Sequence, residues 1–438
     1  MTAIETTSID LRHEVQRRLQ ASGIEPDVQP DQVRALVRDV VGEYQANART
    51  GAGRPLADVG EVTARLERSF LGYGPLARLL APGAGIEEIY GVGNDVTYLD
   101  RHGRLRSLDE ATDEEELRTI ISRMLLETGR SIDAARPIGD AQVLSGKGRL
   151  SVSAPPVTDS FTWTLRLYTQ SHETFDTLVA NGTLSPPAAG FLAGCASANL
   201  GALLSGPPGA GKTTFANAWL RAVAPTLRVI SCEETRELSV PLNNGIYLQT
   251  RPTVSAGADR LAEVNLRDLI LHSLRQRPDL LVVGEVRGRE AYELTRAGNA
   301  GTAVLATIHA NSAKDALQAL VTTALMAGEN VPVGVVRAVF SRTFQLLIHL
   351  DRHAQTVPGA DEQRVRHQVM EIAAVPPQGL EGSDWTVEPI FIRDGLDAPL
   401  VWTGVLPDEL RVRLDRSLQA SGVTCQDLLE GRCGVLLG

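Results

Sequence analysis

Gly206-Pro-Pro-Gly-Ala-Gly211-Lys212-Thr213-Thr214 is the stretch whose reading decides this chain, because it fits the phosphate-binding pattern G-x-x-x-x-G-K-[ST] at every required position. Leu200 to Leu204 before it reads as a short buried strand, and Phe215 to Val223 after it continues as a helix. That is the strand, loop and helix context the pattern needs. Glycines let the loop's N–H groups turn inward onto phosphate oxygens, and the helix N-terminus adds partial positive charge. On this reading Gly206, Gly209, Ala210, Gly211, Lys212, Thr213 and Thr214 bind a nucleoside triphosphate. Lys212 reaches the β- and γ-phosphates, and Thr213 offers its hydroxyl to Mg²⁺.

Working outward, Leu280-Leu-Val-Val-Gly-Glu285 is an apolar run consistent with a fully buried strand. It delivers a carboxylate at its C-terminal end, where open α/β sheets place their active sites. Glu285 is therefore the Walker B candidate, orienting the Mg²⁺ shell or an attacking water. The competing reading is an acid that merely stops a strand. Val229-Ile-Ser-Cys-Glu233-Glu234-Thr235 repeats the design, ending in paired carboxylates able to activate water or complete a metal shell. Thr307-Ile-His309-Ala-Asn311 follows the run Ala303 to Ala306 and sets an imidazole and an amide at one strand end. A satisfied structural histidine is the alternative there.

Composition bounds the class. A chain of 438 residues accommodates two to three domains with real cores. Its formal net charge of −10 argues against stable nucleic-acid binding, which depends on accumulated Lys and Arg. Cys195, Cys232, Cys425 and Cys433 include no C-x-x-C pair and no zinc-spaced histidines, so a reducing, cytoplasmic setting is expected. The N-terminus reads as no signal peptide, being charged from Glu5 onward. Thr177 to Gly211 carries no charge, but Asn181-Gly182, Pro186-Pro187 and the phosphate loop break it as a membrane span.

Apolar spacing divides the chain into a helical extension over 1–50, an α+β domain over 55–170, a linker over 171–185, a phosphate-loop ATPase domain over 186–395 and a tail over 396–438. In the second of these, Thr112-Asp-Glu-Glu115 is a capping box that opens a helix carrying Leu117, Ile120, Ile121, Met124 and Leu125. The fold class is α/β: a RecA-like core with a mostly parallel sheet, preceded by the α+β domain and the helical extension.

The run from Leu274 through Ala316, with Glu233-Glu-Thr-Arg-Glu237-Leu and the phosphate loop, resembles the secretion ATPases of the type II/type IV superfamily. Within it the chain is similar to the CpaF branch, whose members drive Tad (Flp) pilus assembly. Leu71-Gly-Tyr-Gly-Pro-Leu76, Ile86-Glu-Glu-Ile89 and Glu127-Thr-Gly-Arg-Ser-Ile-Asp133 resemble that branch's N-terminal motifs. The resemblance implies a homo-hexameric ring, with ATP between the two domains of each subunit, pushing on inner-membrane platform proteins from the cytoplasmic face. It assigns Glu233 and Glu237 to the family's Asp box, Glu285 to Walker B and His309 to a His box sensing the γ-phosphate. Arg130, Arg149 and Arg166 fall where the family uses N-terminal arginines near the phosphates, a role suited to guanidinium groups. The sequence departs from the branch at Glu234 for Asp, at Pro207-Pro208 in the loop, at Gly298 to Thr302, which lacks a histidine, and at Gln142 for Arg. Two other readings stay open: an ATPase of conjugative or type IV DNA or protein export, and a RecA-like DNA-translocating ATPase.

Overall fold

The computed structural model describes residues 3–26, 28–51, 54–100, 104–168, 173–238, 240–251, 263–328, 330–356, 363–377 and 385–432. It divides into two compact units, Met1–Thr169 and Gln170–Gly438.

The first unit opens with α1 (Ala3–Ser22), α2 (Pro30–Arg49) and α3 (Val59–Leu71). Their helically spaced Leu11, Val15 and Leu19, Val33, Val37, Val40 and Val41, and Val62, Leu66 and Phe70 interlock in one apolar cluster. An antiparallel sheet follows, built of β1 (Ile86–Val92), β2 (Asp95–Asp100), β3 (Leu105–Ser107), β4 (Ile138–Val143), β5 (Gly148–Ser153) and β6 (Thr162–Leu167) in the order β3-β2-β1-β6-β5-β4. Helix α4 (Glu114–Leu126) places Leu117, Ile120, Ile121, Met124 and Leu125 in the same core as Ile89, Leu150 and Leu165. Its cap differs from the sequence expectation. Asp113, not Thr112, is the N-cap, and its carboxylate accepts from the Glu115 N–H. The Thr112 hydroxyl instead donates to the Asn94 carbonyl, so a tertiary partner takes the group that would have capped the helix.

The second unit is a three-layer α/β sandwich. Its sheet comprises β7 (Ala202–Ser205), β8 (Val229–Glu233), β9 (Gly245–Gln249), β10 (Leu280–Val283), β11 (Ala303–Ile308), β12 (Leu346–Thr356), β13 (Gln363–Ala374), β14 (Glu388–Arg393) and β15 (Leu400–Trp402). The order is β15-β14-β13-β12-β7-β11-β10-β8-β9. From β12 through β9 the neighbours are parallel, and β13 to β15 extend one edge antiparallel. The sheet is thus the mostly parallel core the alternating pattern foretold.

Strand side chains alternate between two cores. Ala202 and Leu204 face one with α5 (Phe175–Ala180), α6 (Pro186–Ser197) and α7 (Lys212–Arg221). Leu203 faces the other with α8 (Leu266–Leu274), α9 (Glu290–Asn299), α10 (Ala313–Leu325) and α11 (Val333–Thr343). Helices α12 (Asp408–Leu418) and α13 (Cys425–Leu429) join the first core through Leu410, Leu414, Cys425 and Leu429. The uncharged stretch from Thr177 to Gly211 resolves into parts of α5, α6, β7 and the loop, and no described helix is long and apolar enough to cross a membrane. Cys195, Cys232 and Cys425 are buried and free, while Cys433 lies outside the described residues.

Entry into β7 is tight. The Gly201 N–H donates to Gln345 Oε1 at 2.8 Å, its carbonyl accepts from the Leu346 N–H, and a Cβ there would lie 1.8 Å from the Thr343 carbonyl oxygen. Gly201→Ala is therefore expected to cost about 2 kcal/mol or more of stability. Gly42→Ala, on α2 with open space around it, should instead add roughly 0.5–1 kcal/mol. Urea unfolding followed by circular dichroism checks both, and an unchanged Gly201→Ala midpoint would show that the strand entry yields.

Candidate functional site

Parallel register brings the chemistry to one edge of the second unit's sheet. Ser205 at the end of β7 pairs with Ile308 of β11, and Val283 of β10 pairs with Ala306 on one side and Cys232 of β8 on the other. Gly206, His309, Glu285 and Glu233 consequently emerge next to one another at the strands' carboxyl ends.

The loop after β7 takes backbone angles that favour glycine, with φ of 149° at Gly206, 72° at Gly209 and 89° at Gly211. A Cβ at Gly206 would lie 2.2 Å from the Leu350 carbonyl oxygen. Helix α7 starts at Lys212 with Gly211 as its cap, so its first N–H groups face the loop. Ala210 is buried, and Thr213 and Thr214 are half-buried in the first turn. This cradle fits the phosphates of a nucleotide.

Lys212 is buried, and its ammonium donates to the carbonyls of Gly206 at 2.7 Å and Pro207 at 3.1 Å. His309 Nδ1 lies 3.1 Å from the same nitrogen, and His309 Nε2 lies 2.7 Å from Glu285 Oε1. With its proton on Nε2 the imidazole donates to Glu285 and accepts from Lys212; Nδ1 then also lies 3.1 Å from the Gly206 carbonyl, which takes its hydrogen bond from Lys212 instead. Arg287 closes the chain from the other side, its Nε and Nη2 each donating to Glu285 at 2.6 Å. Burial pushes the Glu285 carboxyl up, but Arg287, with His309 and Lys212, outweighs it and holds the group below its usual range. Thr307 Oγ1 donates to the Gly284 carbonyl at 2.6 Å and ties the ends of β10 and β11 together. Thr213 and Glu285 supply oxygen donors of the kind Mg²⁺ takes.

Glu233 is buried, and its Oε1 accepts from the N–H groups of Glu237 at 3.0 Å and Leu238 at 3.1 Å. Burial pushes its carboxyl up to about 7, the range in which a carboxylate can accept a proton from water near neutrality. Glu234 is exposed, 3.7 Å from Arg287.

In the first unit Arg149 and Arg166 are exposed and directly opposed across β5 and β6. Register extends this row to Glu88 on β1 and to Gln142 on β4. Glu88 lies 3.9 Å from Arg166, so one acid accompanies two arginines that repel each other. Gln142, noted above as a departure from Arg, occupies the next place in that row. Arg130 follows α4 and does not belong to the row.

Three participants escaped the sequence reading. Arg287 follows Glu285 by two residues. His349 on β12 is buried, with Nδ1 3.0 Å from the Ser205 hydroxyl, and burial holds its imidazole below the usual range. Glu371, opposite His349 on β13, accepts from the Ala313 N–H at the start of α10, and burial raises its carboxyl. The signal for His349 was present in Leu346 to Ile348, a short apolar run ending in a titratable residue like those before Glu285 and Glu233.

This chain resembles known proteins. A family model described as Type II/IV secretion system protein matches residues 72–378. The putative conjugal transfer protein Rv3659c of Mycobacterium tuberculosis is 32% identical over 295 residues, covering 66% of this chain and 82% of the relative. The type IV secretion system protein PtlH of Bordetella pertussis is 28% identical, covering 69% and 88%. Among solved structures, the ATPase DotB of Legionella pneumophila aligns with a TM-score of 0.46 at 16% identity, covering 79% of this chain and 82% of that one.

Glu233 sets a pH dependence. Its native carboxyl keeps a proton up to about 7, whereas the ordinary value is 4.5. The folded chain therefore binds the extra proton between these values, and the stability this group contributes is complete below 4.5 and lost as pH rises through 7. Wild type should lose stability relative to Glu233→Gln across that window. Parallel urea-unfolding midpoints for the two proteins from acid to neutral pH would contradict the burial argument.

Proposed function

We propose, for a chain that belongs to the type II/IV secretion system protein family, that it hydrolyses ATP as a subunit of a hexameric motor working at the inner face of a membrane. The carrying observation is the contact series from Lys212 through His309 to Glu285, assembled beside a glycine-rich phosphate cradle. Lys212 and the N-terminus of α7 neutralise phosphate charge, and the N–H groups of Gly209 to Thr214 orient it. Mg²⁺, held by Thr213 with Glu285 beside it, supplies further charge neutralisation when bound. Glu233, with its raised affinity for a proton, is the proposed acceptor from the attacking water. His309 touches both the phosphate-facing cation and the Walker B acid, which suits a sensor of the γ-phosphate. Arg130, Arg149 and Arg166 are the proposed source of remaining transition-state charge.

Two cargo readings divide on different observations. The motifs at Leu71 to Leu76 and Glu127 to Asp133 favour a CpaF-like motor for Tad pilus assembly on an inner-membrane platform. The conjugal transfer names of the mycobacterial relatives favour conjugative or type IV export instead. Deleting the gene and scoring surface pili against plasmid transfer separates them.

Lys212→Ala is expected to lower ATP turnover by about a hundredfold or more and to weaken nucleotide binding. Glu285→Gln keeps shape while losing charge, so it should retain ATP binding with turnover down by a similar factor. A loss under about threefold, roughly 0.7 kcal/mol of barrier, would make Glu285 structural. Ring assembly has its own readout: specific activity should rise with protein concentration in step with mass by light scattering. A fully active monomer would remove the ring from the proposal.

A further inference from the structure

The outer side of the phosphate loop is lined by the β12–β13 hairpin. Strand β12 runs parallel to β7 as far as the His349–Ser205 pair, then continues past the loop, and Arg352 and His367 face each other across β12 and β13. The exposed Arg352 side chain passes over Gly209: a Cβ there would meet its Nη1 at 3.1 Å and its Cδ at 3.7 Å. His367 lies over the next glycine, its Cβ 3.8 Å and Cγ 3.9 Å from a Cβ at Gly211, and it hydrogen-bonds the Gly209 backbone. The hairpin is itself anchored, since the Thr183 hydroxyl donates to the His367 carbonyl at 2.9 Å and the Val369 N–H to the Thr183 carbonyl.

Glycines at positive φ have no preference that would hold a loop in one shape. A cradle whose inner face is kept for phosphate must be fixed from outside, and the neighbours at Gly209 and Gly211 are these two side chains. We propose that Arg352 and His367 are positioning residues of the ATP site, a cross-strand pair that clasps the outer face of Gly209 to Gly211. The clasp sets the inner N–H groups before the nucleotide arrives, which lowers the ordering cost of binding. The arginine also adds positive potential beside the phosphates. The inference rests on the ATP reading of the same site.

The test uses the full chain with a fluorescent ATP analogue, alongside steady-state ATPase kinetics and melting temperatures. Arg352→Ala and His367→Ala should each raise the analogue's Kd and the KM for ATP about tenfold, with kcat lowered less than threefold. Arg352→Lys retains a stem over Gly209 and the charge, so it should recover most of the affinity. Arg352 is exposed, so its variants should melt with wild type, and they carry the test if His367→Ala fails to fold. Lys212→Ala is the reference. If it abolishes binding while Arg352→Ala binds like wild type, the clasp is wrong and the ATP site stands. If wild type itself binds no analogue, both readings fall.

Discussion

A buried ammonium organises this site. Lys212 is 8% exposed, and an isolated charge so placed would cost several kcal/mol. The carbonyls of Gly206 and Pro207 and the Nδ1 of His309 compensate it. The imidazole can accept from the lysine only by keeping its proton on Nε2, and that proton points at Glu285, which Arg287 grips from the far side. One alternating series, Arg287, Glu285, His309 and Lys212, therefore joins the ends of β10, β11 and β7. Removing any member leaves its neighbour under-compensated.

The sheet makes that series possible. Parallel pairing ends β8, β10, β11 and β7 on one edge, past which β12 continues, and each of those four strands is buried to its last residue. Beyond the edge the loop bends where only glycine fits, under the Leu350 carbonyl and the Arg352 side chain. His349 and Glu371, opposite each other on β12 and β13, brace Ser205 before the loop and Ala313 at the start of α10. The hairpin thus supports both the phosphate cradle and the helix that follows His309.

Much of this was legible in the sequence because it depends on local pattern. Periodicity marked the helical hairpin of α1 and α2, a short apolar run before the phosphate loop marked β7, and short apolar runs ending in Glu or His marked β8, β10 and β11. The loop's residue types specified its own backbone. What escaped depends on contacts distant in sequence. The cap of α4 moved to Asp113 because Asn94, 18 residues upstream, takes the Thr112 hydroxyl. The burial of α12 and α13 against α6 follows from Leu410, Leu414 and Leu429 meeting a core assembled more than two hundred residues earlier. His349 and Glu371 gain their places through strand order, which periodicity does not encode, whereas Arg287 is local, two residues after the acid it grips. The opposed Arg149 and Arg166 were named by resemblance, whereas their shared row with Glu88 and Gln142 comes from register alone.

The central claim is that His309 and Glu285 act as one unit with Lys212. A double-mutant cycle on ATP turnover tests it, using His309→Ala, Glu285→Gln and the combined variant, each checked for retained nucleotide binding. If the residues work as a unit, the combined variant should be little slower than the slower single variant, a strongly non-additive result. Losses that multiply as independent factors would contradict the claim.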